Sequence, residues 1–338
     1  MKKEIIGKIK IVFLSVFLIM FLGLLSGSIS GDRVSALEKS KSETDTKKKI
    51  KKVKKLRFIK KYKKVTCGKK KIFKINVKDA KWKVSDKKIA RIKKSGDKKI
   101  VFTGKRYGKV ILSASANGKT ISMKVKVLPK AIIGIDAGHQ AQANYELEPI
   151  GPGSSQKKIK VTSGTRGAYT GKAEGTLNLE IALKLKESLL KRGYKVVMVR
   201  ETADVNISNS ERAKKLNKKC DISIRIHADG SNDSSMNGVS VLYPPSSNPY
   251  IGELSGKSYK LASCILEKYC GKTGIKNNGL TPRNDLTGFN FSTIPVALIE
   301  MGYMTNYSDD TFMSSKEGQK KMAIGIALGV EKYFGYKK

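Results

Sequence analysis

The chain has only two histidines, and each closes an apolar run. His139 follows AIIGIDAG, and His227 ends the apolar part of DISIRIHADG. Ile-rich runs bounded by Pro129, Gly138 and Gly230 read as buried strands that stop at polar loops. In α/β folds, chemistry collects beyond the carboxyl ends of the strands. Two imidazoles placed there suit a metal ion. A catalytic zinc takes three protein ligands and keeps a position open for water. HExxH is absent, and none of Cys67, Cys220, Cys264 and Cys270 has C-x-x-C spacing. A carboxylate is then the natural third ligand. Glu174, in TGKAEGTLNLEIA at a predicted helix start, is the candidate. The three residues are far apart in sequence, so only the fold can unite them.

A second carboxylate is needed to move protons. IPVALIEMGY is apolar until Glu300. Burying a carboxylate at the end of such a run is costly unless it is paired or works. Glu300 falls at the same predicted sheet end as both histidines, which favours work over a salt-bridged or capping role.

The positioning elements follow from periodicity. LNLEIALKLKESLLKRG places Leu177, Ile181, Leu185 and Leu189 on one helical face, with Gly193 as C-cap. YKVVMVR, DISIRIHA, GVSVLY and TIPVALIEMGY read as strands. SNSERAKKLNKK, GELSGKSYKLASCILEKYCG and EGQKKMAIGIALGVEKYFG read as helices. Residues 138–175 read as one long polar, Gly-rich loop. This alternation predicts an α/β domain over 130–338, a mainly parallel twisted sheet with helices on both faces.

Residues 65–128 differ. Short β-branched runs separated by Gly, Asn and Asp turns predict a small all-β sandwich. Asn117-Gly118 between alternating runs is a strong hairpin signal. The preceding IKKVKKLRFIKKYKKV is either a first strand with a basic face or a basic tail, and EKSKSETDTKKK reads as linker.

Charge is unevenly spread. The net is +41, and residues 37–130 alone carry 35 Lys+Arg against 6 Asp+Glu. Such a segment attracts polyanions. At the N-terminus, Lys2, Lys3, Lys8 and Lys10 precede the apolar run Ile11 to Leu25, and Val34-Ser35-Ala36 is an A-x-A-like cleavage site. This is a signal peptide pattern over 1–36, the alternative being an uncleaved membrane anchor. Either implies a secreted, wall- or membrane-associated protein outside the cytoplasm. The accessible polyanions are then anionic wall polymers and lipid headgroups. The signal, and Lys runs without interleaved aromatics, argue against nucleic acid. Cys264 and Cys270 are poorly spaced for a disulfide, so an exported chain would rely on its cores.

Two resemblances now enter. WKVSDKKIARI followed by TGKRYGKVILSASANGKTISMKVKV resembles a bacterial immunoglobulin-like domain of group 2, with Trp82, Ala90, Gly108 and Val125 in the expected places. This implies a wall-associated module over 53–129, after a basic linker at 37–52, with Trp82 in its core. IIGIDAGHQ, GKAEGTLNLEIA, VVMVRET, ERAKKLN, DISIRIHADG, GVSVLY and PVALIEMGYMTN, in this order, resemble the zinc-dependent N-acetylmuramoyl-L-alanine amidases of the amidase-3 type. This resemblance implies Zn2+ held by His139, Glu174 and His227. It implies Glu300 as the catalytic acid-base, and cleavage of the amide between N-acetylmuramic acid and L-alanine in peptidoglycan. The basic middle would hold the enzyme on wall polymers. Departures are Gln140 after the first histidine, where Gly is common, Asp229 where Asn is common, and a longer loop from Ala141 to Lys172. Asp136 and Asp229 lie near the histidines in sequence as possible acceptors for their second ring nitrogens. Two other readings are a zinc peptidase cutting within the stem peptide and a catalytically silent wall-binding protein; the four intact site residues count against the latter.

Overall fold

The computed structural model describes residues 55–335. The expected leader (1–36) and linker (37–52) lie outside the described residues. Eight short strands come first: β1 (Phe58–Lys60), β2 (Lys64–Thr66), β3 (Lys70–Ile75), β4 (Lys81–Val84), β5 (Ala90–Lys94), β6 (Lys99–Gly104), β7 (Gly108–Ala116) and β8 (Lys119–Leu128). They form two four-stranded sheets, ordered β1-β3-β6-β5 and β2-β8-β7-β4. Side chains alternate across each strand, so Phe73, Ile100, Phe102, Leu112 and Val125 are buried while the intervening lysines face water. The basic stretch before Thr66 supplies both β1 and β2. Trp82 is only partly buried, with its ring 6.1 Å from that of Phe58.

Two turns show why their residues are needed. Asn117 and Gly118 join β7 to β8 with φ of 52° and 68°, the left-handed pair of a primed hairpin turn. Gly108 has φ 151°, and a Cβ there would come within 2.6 Å of Ile89 Cδ1.

The remaining elements are β9 (Ile132–Ala137), β10 (Asn144–Pro149), β11 (Lys157–Val161), α1 (Glu174–Arg192), β12 (Lys195–Met198), α2 (Asn209–Asn217), β13 (Ile222–Asp229), β14 (Val239–Tyr243), α3 (Ser255–Thr273), β15 (Asn277–Pro282), α4 (Thr287–Asn290), β16 (Val296–Tyr303), α5 (Tyr307–Ser314) and α6 (Lys316–Tyr333). Six strands form one sheet ordered β12-β9-β13-β16-β14-β15. The first four are mutually parallel, β14 runs antiparallel to β16, and β15 is parallel to β14.

Helix ends follow their sequence signals. Gly193 closes α1 at φ 94°, its N–H donating to the carbonyls of Leu189 and Leu190. Ser208 and Glu211 form a capping box at the start of α2. Residues 138–175 are not one loop: β10 and β11 pair antiparallel within them, Leu147 opposite Ile159. Most of that hairpin is exposed, so no buried stripe marks it in the sequence. β15, α4 and α5 were likewise not expected.

Strand parity divides the chemistry from the core. Ile133, Ile135, Ile224, Ile226, Ala297 and Ile299 face one side and pack with α1, α3 and α6. Leu177, Ile181, Leu185 and Leu189 of α1 are fully buried there, each worth about 1.5–3 kcal/mol of apolar transfer. The alternate residues face the side covered by α2 and the four-residue α4. Asp136, Arg225, His227 and Glu300 share that parity. Such light cover leaves the carboxyl ends of β9, β13 and β16 accessible.

Candidate functional site

The structure brings His139, Glu174 and His227 together, with one ligand atom from each within 4.8 Å of the others. His139 sits one residue beyond Gly138, past the end of β9. Its φ is 57°, an uncommon region for a residue with a side chain. Two buried guanidinium groups hold this backbone. Arg200 donates to the carbonyls of Ala137, Gly138 and Gly175, and Arg212 donates to those of Ala137 and His139. Gly138 lets β9 pass against His227: a Cβ there would lie 2.2 Å from the ring.

Glu174 is the first residue of α1, and Ala173 before it provides no side-chain cap. Its carboxylate instead accepts from Thr165 N at 3.0 Å, Ala228 N at 3.2 Å and Asn178 Nδ2 at 3.0 Å. It also lies 3.1 Å from His139 Nε2 and 3.1 Å from His227 Nδ1. Burial alone would raise its pKa, but the two histidines outweigh this and hold it well below the usual range. His227 is pushed down to about 4, burial outweighing its hydrogen bond to Glu174. Burial also opposes charge on His139, yet its hydrogen bond to Glu174 holds the pKa above the ordinary value.

His139 Nδ1 is 2.8 Å from the Thr162 carbonyl, which fixes Nδ1–H and makes Nε2, beside Glu174, the nitrogen that would give up its proton to take a cation. A neutral imidazole nitrogen, a second imidazole and an ionised carboxylate then converge on one point. That is a suitable set for a divalent metal of zinc type.

Glu300 occupies the wall of the same cavity, of about 550 Å³, with the three donors, Thr165, Asp229 and Thr305. Its Oε2 is buried and has no hydrogen-bond partner among the described residues. Burial, then the charges of Glu174 and Asp229, pushes its pKa well above the carboxylate range; Arg283 and Arg225 oppose this. A carboxyl so placed is not a salt-bridged structural group. It can hold or release a proton at the cavity wall.

The two aspartates near the histidines take neither ring nitrogen of His139. Asp136 is 2% exposed and bridges Arg212, at 2.8 Å, and Arg225, at 3.0 Å. Asp229 accepts from its neighbour Gly230 N and bonds Tyr303, facing the cavity. Sequence reasoning missed Thr162 and the three arginines. Thr162 gives no signal, since it acts through its backbone. Arg200 and Arg225 did give one, as lone charges inside VVMVRE and ISIRIH. Gln140 is 6% exposed and points inward: its Oε1 accepts from Ile207 N and Arg212 Nη2.

Residues 133–332 match the family model Amidase_3, described as N-acetylmuramoyl-L-alanine amidase. The N-acetylmuramoyl-L-alanine amidase Rv3717 of Mycobacterium tuberculosis is 29% identical over 230 residues, spanning 65% of this chain and 90% of that protein. A probable cell wall amidase, LytH of Staphylococcus epidermidis, is 28% identical over 48% of this chain and 50% of its own length. Among solved structures, the N-acetylmuramyl-L-alanine amidase Ami1 of Mycobacterium smegmatis superposes with a TM-score of 0.56 at 29% identity, covering 62% of this chain and 98% of Ami1. The catalytic domain of CwlV, an N-acetylmuramoyl-L-alanine amidase of Bacillus (Paenibacillus) polymyxa, gives 0.50 at 26% identity over 61% of this chain and 99% of that domain.

Proposed function

The chain belongs to the N-acetylmuramoyl-L-alanine amidase family and is an amidase of peptidoglycan, and from that premise we propose a zinc-dependent enzyme exported to the wall. The observation that carries the metal reading is the convergence of His139, Glu174 and His227 on one point, with Glu300 in the wall of the same cavity.

His139, Glu174 and His227 would hold the zinc. A zinc ion held there would supply Lewis-acid polarisation of the scissile carbonyl and a water of pKa lowered toward about 7. Thr162 keeps His139 in the tautomer that presents Nε2. Glu300 takes the proton of the attacking water and delivers it to the leaving L-alanine nitrogen. The proton-binding tendency of Glu300 suits the second half of that task. Burial sustains that tendency first and the charges of Glu174 and Asp229 add to it; a bound cation would offset the charges. Loss of the amine then separates the stem peptide from the lactyl group of N-acetylmuramic acid.

The domain scheme carries over as part of the same reading: a signal or anchor at 1–36, a basic linker at 37–52, an immunoglobulin-like module at 53–129 and the catalytic domain at 130–338. The two packed four-stranded sheets support the module. Its lysine-rich outer faces support retention on anionic wall polymers. The family match does not favour a stem-peptide peptidase or a silent binder.

Muropeptide analysis tests the whole reading. Purified sacculi digested by the zinc-loaded chain should release peptides with a free L-alanine amine, and a chelator should abolish release. Products cut within the stem peptide, or release indifferent to chelation, would refute it.

A further inference from the structure

A second cavity, of about 680 Å³, lies where the β-sandwich meets the helices of the amidase sheet. Its sandwich side comes from the Asp86–Ile89 turn, the Arg106–Lys109 corner and Lys126 of β8; Arg192 and Glu331 close it from α1 and α6. Five cationic side chains line it, Lys88, Arg106, Lys109, Lys126 and Arg192, against two carboxylates, Asp86 and Glu331. Glu331 is 3.4 Å from Arg192. Arg106 Nε is buried with no hydrogen-bond partner among the described residues. Lys126 stands over the Tyr107 ring, 5.8 Å from its centroid, and donates to the Lys191 carbonyl at 3.1 Å. Burial and the nearby charges of Lys109 and Lys64 lower the pKa of Lys126, so the cations here crowd one another.

Crowded like charges around an orphaned guanidinium N–H cost stability unless an anion completes them. Arginine with lysines suits phosphate oxygens, the fork giving direction and the ammonium groups point charge. We propose that this junction cavity binds a phosphodiester group of an anionic polymer. The site lies at the far end of α1 from Glu174, about 27 Å along a 19-residue helix, so it is separate from the catalytic cavity. An anion held by Arg106 and Lys126 on one side and Arg192 on the other would tie the sandwich to the enzyme. The inference rests on the wall-polymer reading above and sharpens it from a diffuse basic face to one cavity.

The test measures binding of the full chain to a glycerol-phosphate polymer, to polyglutamate and to inorganic phosphate, at about 0.15 M salt to screen long-range attraction. Two variants remove cavity charge: Arg106→Gln/Lys109→Gln, and Lys88→Gln/Lys109→Gln, which alters only exposed lysines. Lys74→Gln/Lys119→Gln removes equal charge from exposed positions outside the cavity. Both cavity variants should weaken polymer binding about tenfold or more, the control variant much less. Inorganic phosphate should compete, and hydrolysis of a soluble muropeptide should be unchanged in all three. Equal weakening by cavity and control variants would overturn the cavity site while leaving the diffuse wall-polymer reading intact. Equally tight, equally cavity-dependent binding of polyglutamate would overturn the phosphate assignment. No polymer binding by the unaltered chain would overturn both.

Discussion

His227 and Glu300 are direct register partners in the parallel pairing of β13 with β16. Paired residues of neighbouring strands project from the same face, so a histidine of the donor set and the buried carboxyl are held side by side by backbone hydrogen bonds. The place of this carboxyl is thus fixed by the sheet and not by a loop. Glu300→Ala should keep the zinc and the fold, because none of the three donors is touched. Turnover should fall by roughly 10²–10⁴-fold, the usual range for a lost general acid-base. Metal content by mass spectrometry alongside hydrolysis of sacculi checks both halves. Retention of full activity would remove Glu300 from the mechanism.

Gly138 gives a second test, of the backbone that separates the two histidines. Its missing Cβ is what lets the backbone just beyond β9 lie against the His227 ring, since a Cβ there would fall 2.2 Å from the ring's Cε1 and Nε2. Gly138→Ala must therefore displace His227. Metal affinity should drop by about 10–100-fold, as for other disturbances around a ligand. The stabilisation that added zinc gives to thermal unfolding should shrink in step. A variant with unchanged zinc affinity would show that His227 is not a ligand in this position.

These residues also mark what the sequence could reveal. The strands and long helices were legible because period-2 and period-3.6 burial writes itself into apolar spacing, as in Leu177 to Leu189. The four candidate residues that share the cavity were legible because histidine is rare in this chain and because charge at the end of an apolar run is conspicuous. The hairpin of β10 and β11 was not, since exposed strands carry no buried stripe. Nor was Thr162, whose carbonyl orients His139: a backbone acceptor has no residue signature. The pairing of Asp136 with two arginines was hidden for another reason. Its partners come from α2 and β13, 76 and 89 residues away.

Asp136 gives a prediction for stability and pH. Arg212 and Arg225 outweigh its burial and hold its pKa at about 2, against 3.8 when unfolded. The folded value is depressed, so the contribution is full above about pH 4 and is lost as pH falls toward 2. Its size is roughly 2–3 kcal/mol for a shift of this kind. Asp136→Asn leaves two buried guanidinium groups without their counter-charge and should cost roughly 3–5 kcal/mol at neutral pH. The variant should also lose that acid dependence. Denaturant unfolding from pH 2 to 7 measures both, and an unchanged slope between pH 2 and 4 would count against the assignment.

Gln140 departs from the glycine common after the first histidine, and its place in the structure says what the change does. It does not line the cavity that holds His139, Glu174, His227 and Glu300. Buried at 6% exposure, it accepts from Ile207 N and Arg212 Nη2 and donates to the Gln142 carbonyl. It thereby ties the loop after His139 to the guanidinium that also grips the His139 carbonyl. Gln140→Gly removes these bonds and adds backbone freedom, so it should cost about 1–3 kcal/mol of stability. KM for a soluble muropeptide should stay within about twofold, since no cavity-lining side chain is lost. A change confined to KM, with stability intact, would place Gln140 in the substrate site after all.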